Sequence, residues 1–333
     1  MKQVKNKYIK NLINNIKSIY IMKQVFNYLK EKPKLGIIKY NKKIQTKLNI
    51  DINDYKTFNK IEIEIFPIYE TNYDEDEEFE DEEFESEYGF INFEKNMGSY
   101  YHIYFNDEKE EAIKNIEYED EFGRVFLDED SNIKKIKIII DEEVKSLRNL
   151  FGACICIEKI NFIKFNTNNI INMESMFYFC TSLKEINLNN FNTNNVKNMK
   201  NMFRYCSSLE KLNLNNFNTN NVIDMSCMFY NCSSLKQLNL KNFNTINVKN
   251  MLKMFKCCSS LEELNINNFN TTNVEIMEKM FSECQKLKTL NINNFDININ
   301  TEIKGMFWGC SEEFKKKMKD KFKNINDKAF YYN

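Results

Sequence analysis

Residues Cys180–Phe203 read CTSLKEINLNNFNTNNVKNMKNMF, and the register of this segment decides the fold. Cysteine recurs at 154, 180, 206, 232, 258, 284 and 310, every 26 residues, without insertion or deletion. Phenylalanine keeps the same phase at Phe151, Phe177, Phe203, Phe229, Phe255, Phe281 and Phe307. The residue before it is Leu150, then Met176, Met202, Met228, Met254, Met280 and Met306. Self-similarity at a fixed period marks a repeat architecture, in which no unit buries its apolar face alone and stacking makes the core.

Within one copy, Leu183, Ile186 and Leu188 give the spacing L-x-x-L-x-L, a turn into a short strand whose alternate residues point inward. Phe191 closes the core side of the next loop, and Asn192-Thr193-Asn194-Asn195 supplies turn formers and a helix N-cap. Val196, Met199, Met202, Phe203 and Cys206 then form a one-sided apolar stripe that predicts a short helix. Parallel strands stack about 4.8 Å apart, whereas packed helices need roughly 8–10 Å. The strands must then line a concave face and the helices a convex one. The expected fold is an α/β repeat solenoid, a leucine-rich-repeat-like curved stack of short parallel strands and short helices.

The period extends backwards. Val144, Leu147, Leu150 and Phe151 repeat the stripe of Ile170, Met173, Met176 and Phe177, so KIKIIIDEEVKSLRNLF forms a diverged first rung. Strands are expected near 136, 162, 188, 214, 240, 266 and 292, a run of about 29 Å. At the far end the pattern decays through Asp296, Asn300 and Glu313. Phe314, Met318 and Phe322 follow four apart and predict a terminal helical cap over 311–333, leaving 131–310 as the solenoid.

These copies resemble the BspA-type leucine-rich-like repeat family, whose units carry a pattern close to MF-x-x-C-x-S-L-x-x-L-x-L-x-x-F-x-T-x-x-V-x-x-M, over about residues 150–310. The resemblance implies a curved scaffold for protein–protein or adhesive contacts, and many of the proteins it resembles are surface proteins. The first residues, MKQVKNKYIKNLINNIK, carry charges that interrupt any secretory apolar core. No stretch approaches the roughly 18–20 apolar residues that span a bilayer. The expectation is an intracellular chain without a membrane span, with a surface location only if an export signal is missing.

Residues 1–52 read as helical. Helix, a turn containing Pro33, then helix resembles an F-box, with Val25, Phe26, Tyr28 and Leu29 where that family carries its I-F-x-x-L-like run. The usual Leu-Pro opening and the late Trp are missing from the segment. The resemblance would imply a substrate receptor that contacts a cullin-ligase linker protein through those four residues. Residues 53–130 are predicted to form a small β-rich region, with KIEIEIFPIY, YYHIYF and VFLDED as strands. The run DEDEEFEDEEFESE at 74–87 is expected to be a solvated, disordered loop.

Net charge is -1, from 47 basic and 48 acidic residues, which gives no global field to draw in nucleic acid or anionic membrane. Asn, Lys, Ile and Phe are abundant while Gly (7) and Pro (2) are scarce, partly the imprint of an AT-rich genome. Catalytic chemistry is nearly absent. His102 is the one histidine, and no P-loop, dinucleotide fingerprint, G-x-S-x-G or H-E-x-x-H occurs. The seven repeat cysteines are expected to be buried core, because equivalent positions on neighbouring helices would lie beyond disulfide reach. Cys156, Cys227 and Cys257 are extra, and Cys154-Ile155-Cys156 and Cys257-Cys258 lack the second Cys or His pair that a metal site needs. No cofactor or metal is expected.

The expected function is a non-catalytic protein–protein interaction scaffold, with adaptor of a ubiquitin ligase and BspA-type adhesin as its two specific forms. Binding is assigned to two rows on the concave strand face. One is Asn187, Asn213, Asn239, Asn265 and Asn291, whose uniformity suits amide laddering between rungs. The other is Glu185, Lys211, Gln237, Glu263 and Thr289, whose charge varies as a recognition surface would.

Overall fold

The chain divides into two compact units, Met1–Lys60 and Ile61–Asn333. The structure, a computed structural model, describes residues 61–69, 89–92, 101–108, 124–126, 132–140 and 144–331, apart from 166, 168, 293, 298–300 and 324. The F-box-like residues Val25, Phe26, Tyr28 and Leu29 and the acidic run at 74–87 lie outside the described residues.

The second unit opens with a sheet. Strand β1 (Ile61–Pro67) alternates Ile61, Ile63 and Ile65 into the core with Glu62 and Glu64 outward. Glu62 meets Lys137 on β5 (Ile136–Ile140) at 2.6 Å, and Glu64 meets Lys135, just before that strand, at 2.8 Å. A short ribbon pairs β2 (Gly89–Asn92) with β4 (Arg124–Phe126). With β3 (Tyr101–Phe105), β6 (Ile157–Lys164) and β7 (Glu185–Asn187), the larger sheet runs β3-β5-β1-β6-β7. β1 is antiparallel to both β5 and β6. The strand expected near 136 therefore does not start the parallel stack, because β1 lies between it and β6. The alternation of Ile with Glu in β1 fits a strand with one wet face, and that pattern separates β1 from the repeats.

From β6 onward the chain climbs in rungs. Strands β8 (Lys211–Asn213), β9 (Gln237–Asn239), β10 (Glu263–Asn265) and β11 (Thr289–Asn291) follow β7 at the repeat interval. Parallel pairing sets Ile160 against Ile186, Leu212 against Leu238 and Leu264 against Leu290.

The expected helices are not there. Among the described residues the one α-helix is α1 (Glu312–Lys321). The stripe Val196, Met199, Met202, Phe203, Cys206 is buried, but it lies on linked turns. Asn201 and Tyr205 take φ of 56° and 62°, in the left-handed region. The same two places are left-handed in each copy, at Ser175 and Phe179, Cys227 and Asn231, Lys253 and Cys257, Lys279 and Glu283. An α-helix cannot absorb a left-handed residue every four positions.

The reward for this conformation is a second hydrogen-bonded ladder. Phe203 N–H reaches Met228 O at 2.9 Å and Tyr205 N–H reaches Tyr230 O at 2.8 Å, in the next rung. Between them, Met202 and Cys206 N–H close local turns on Met199 and Phe203. Parallel bridges join Ser146, Asn172, Asn198, Asp224, Asn250, Ile276 and Glu302 in sequence. The turn side is thus held at inter-strand spacing of about 4.8 Å, and the wider helix spacing that was to curve the stack drops out. The fold is a β-and-turn stack, not an α/β solenoid. In the last rung both left-handed positions are glycine, Gly305 and Gly309. A Cβ on Gly309 would stand 2.8 Å from Glu283 Cγ.

A phenylalanine column runs through the core, beside a second stacked series that includes Phe165, Phe191 and Phe217. Phe151, Phe177, Phe203, Phe229, Phe255, Phe281 and Phe307 stack with ring centroids 5.4–5.9 Å apart and planes within 12°. The segment expected to cap a helix does something else. Thr219 Oγ1 donates to Asn244 O at 2.8 Å and accepts from Asn244 N–H at 2.7 Å, and Thr193, Thr245 and Thr271 repeat the motif. These buried hydroxyls clip each rung to the next.

The far end is closed by the tail. Ser311 caps α1 by accepting from Phe314 N–H, with Glu312 and Glu313 in the first turn, where the helix dipole favours carboxylates. Phe314 and Met318 are buried against the last rung. Then Lys328 O and Ala329 O accept from Gly305 and Phe307 N–H at 2.8 and 2.7 Å. Phe330 stacks on Phe307 at 5.6 Å and continues the column. The tail stands where an eighth copy would.

Candidate functional site

Each short strand from β8 to β11 carries one buried residue between two exposed ones. Leu212, Leu238, Leu264 and Leu290 point inward. Lys211, Gln237, Glu263 and Thr289 face solvent on one side of them, and Asn213, Asn239, Asn265 and Asn291 on the other. Glu185 and Asn187 extend both rows onto β7. The two expected rows therefore share one face, and that face is a pleated strand surface without helix-driven curvature.

The asparagine row is not an inter-rung ladder. Asn187, Asn213, Asn239 and Asn265 each accept, through Oδ1, the N–H two residues on, at 3.0–3.2 Å within the same rung. Each thereby turns the chain at the end of its strand. Amide ladders between rungs do exist, on other asparagines: Asn216, Asn242 and Asn294 reach carbonyls of the preceding rung at 2.5–2.6 Å. Uniformity in the sequence marks the turn, and cannot say which carbonyl an amide meets.

Beside the variable row runs a column that single-copy reading missed. Glu158, Lys184, Glu210, Lys236, Glu262 and Lys288 alternate in sign from rung to rung. They join as Glu158–Lys184 at 3.0 Å, Glu210–Lys236 at 3.1 Å and Glu262–Lys288 at 2.8 Å. Each ion pair spans two rungs whose strands are also hydrogen-bonded to one another, while no strand ladder joins β7 to β8 or β9 to β10. Lys159 meets Glu185 at 2.6 Å in the adjoining row. The face is charge-compensated, so it offers pattern without a steering field of one sign. Exposed pairs of this kind add little stability. The sign alternation was available from the aligned copies.

Across β6 to β8 the face dips into an open concavity of about 790 Å³, lined by Lys159, Lys184, Glu185, Ile186, Glu210 and Lys211 among others. It spans the unpaired step between β7 and β8.

The thiols sit elsewhere. None of the ten cysteines is in a disulfide, and all but the half-buried Cys257 are buried. Cys206, Cys232, Cys258, Cys284 and Cys310 each direct Sγ at a phenylalanine carbonyl one rung back, at 3.1 Å. Burial pushes the Cys232 and Cys310 thiols up to about 12, so they stay protonated and weakly reactive. Under native conditions at pH 8, iodoacetamide is expected to label Cys257 first and the column cysteines only after unfolding. Mass spectrometry of the labelled chain checks this, and prompt native labelling of Cys206 or Cys232 would contradict it.

His102 lies on β3 opposite Ile139, half-buried. Among the described residues no group of three or more His, Cys, Asp or Glu is placed to hold a metal, and no helix is long and apolar enough to cross a membrane.

A family model described as Mycoplasma protein of unknown function, DUF285, matches residues 145–239 and 234–331. No curated protein and no solved structure matches the chain.

Proposed function

The chain belongs to the Mycoplasma DUF285 family, and from that premise we propose that it is a non-catalytic scaffold that binds another protein through its strand face. One observation carries the reading. The residues that repeat build the stack, and the residues that vary from copy to copy, Glu185, Lys211, Gln237, Glu263 and Thr289, project from it in a row. Variation on a fixed frame is how a repeat protein encodes partner choice. Nine of the ten cysteines are buried and His102, the one histidine of the sequence, lies on β3, a placement that supports the non-catalytic reading.

The matched residues are the rungs and the tail, so the F-box-like residues lie outside the match and it lends the ligase-adaptor version no support. The BspA-type resemblance falls on the matched residues themselves, which favours a surface-binding protein as the second reading. Protease treatment of intact cells separates the two locations, since a surface protein is shaved and an internal one is spared.

The test of the main reading reverses the row. Affinity purification from native cells compares the full chain with one carrying Glu185→Lys, Lys211→Glu and Glu263→Lys. The expected result is loss of a partner that the unmodified chain retains, with His102→Ala leaving the partner and the phenotype unchanged. An undiminished partner set in the row variant would refute the strand face as the site.

A further inference from the structure

The loops at the end of each rung carry another column, on a different edge from the strand face. It reads Lys145, Ile171, Lys197, Ile223, Lys249, one residue per rung. Backbone bonds tie it end to end. Ile171 N–H donates to Lys145 O, Lys197 to Ile171, Ile223 to Lys197 and Lys249 to Ile223, all at 2.8–2.9 Å. The column is therefore pre-organised, with no loop to order on binding.

Its side chains are unusual for the surface. Ile171 and Ile223 are 48% and 46% exposed, two of the five exposed large apolar side chains among the described residues. Ile246, a third, lies in the same series of loops, three residues before Lys249. A shallow groove of about 530 Å³ follows the first part of the column, lined by Lys145, Asn169, Ile171, Asn195, Lys197 and Asn221, with no carboxylate in its wall. Lys145 and Lys197 have no acidic partner among the described residues. The run ends where Glu275 takes the next place and pairs with Lys249 at 3.2 Å.

The spacing selects the occupant. Successive rungs rise about 4.8 Å, and successive turns of an α-helix rise 5.4 Å, about half an ångström more. Four steps cover about 19 Å, which a helix of about 13 residues matches. A helix lying along the column would meet lysine and isoleucine on alternate turns. Complementarity then asks for carboxylates and apolar side chains on alternate turns of its facing side. We propose that this edge docks an acidic amphipathic helix of a partner protein. The surface is separate from the strand face and stands or falls independently of it.

The test uses the full chain and two fluorescent peptides of about 20 residues. One carries Glu and Leu on alternate turns of one face, and its counterpart carries Lys for Glu. Anisotropy is expected to show saturable binding of the acidic peptide that weakens with salt, and at least about tenfold weaker binding of the basic one. Lys197→Glu and Ile223→Ser should each weaken the acidic peptide by about tenfold or more, while Lys211→Glu on the strand face should not. All three positions are exposed, and unchanged circular dichroism confirms that the variants fold. Equal binding of both peptides, no binding of either, or indifference to Lys197→Glu would overturn the proposal. So would a single-stranded oligonucleotide that binds as tightly as the acidic peptide and ignores Ile223→Ser, since that marks a site for polyanions.

Discussion

Phe229→Ala is expected to destabilise the stack by about 3–5 kcal/mol, the range for emptying a buried phenylalanine site. Phe229 is fully buried, with Phe203 at 5.9 Å on one face and Phe255 at 5.5 Å on the other. Its loss breaks the column at its middle, so both neighbours lose a partner. Rungs contact only adjacent rungs, and a central break uncouples the two halves. Urea unfolding should then split into two transitions. Trp308, the single tryptophan, lies in the last rung and reports on the C-terminal half by fluorescence. Circular dichroism reports on the whole. Coincident transitions with a loss below about 1 kcal/mol would mean that the column does not couple the rungs.

Deleting residues 311–333 is expected to turn a discrete protein into one that self-associates. The deletion strips Phe314, Met318 and Phe330 from the last rung, each worth about 1.5–3 kcal/mol of apolar burial. It also frees the Gly305 and Phe307 N–H groups that Lys328 and Ala329 now satisfy. An open row of backbone donors beside an exposed ring column is a template for edge pairing. Light scattering should rise with protein concentration in the truncated chain and stay flat in the full one. A truncated chain that stays monomeric with unchanged unfolding would show that the tail does not close the stack.

Much of this was legible from spacing alone. The period, the buried Met, Phe and Cys positions and the exposed strand rows all follow from residues recurring in one phase. The turn side was misread for an identifiable reason. Val196, Met199, Met202 and Phe203 are three, three and one apart, a pattern shared by a helical stripe and by successive short turns. What separates the two is the left-handed backbone at Asn201 and Tyr205. In six of seven copies those positions carry residues other than glycine, so the usual sign is missing. Only Gly305 and Gly309, in the last copy, betray it. Each left-handed L-residue costs about 1–2 kcal/mol locally. Bonds to the next rung offset that cost, and a bond between rungs cannot be seen in one copy. The insertion of β1 ahead of β6 was hidden in the same way, since a partner distant in sequence leaves no mark in local periodicity. At the strand face the rows were visible and their chemistry was not. Asn187 and its equivalents turn the chain, and the alternating Glu–Lys column appears only when the copies are aligned.

The same rung geometry exposes the strand rows and fixes the Lys–Ile column, so its backbone is the point to measure. One-bond Cα–Hα couplings by nuclear magnetic resonance separate positive from negative φ. At Ser175, Asn201, Cys227, Lys253 and Lys279 positive φ is expected, with the Phe203 and Phe229 amides slow to exchange. Negative φ at those five positions would put helices on the back of the stack and contradict the turn-built rung.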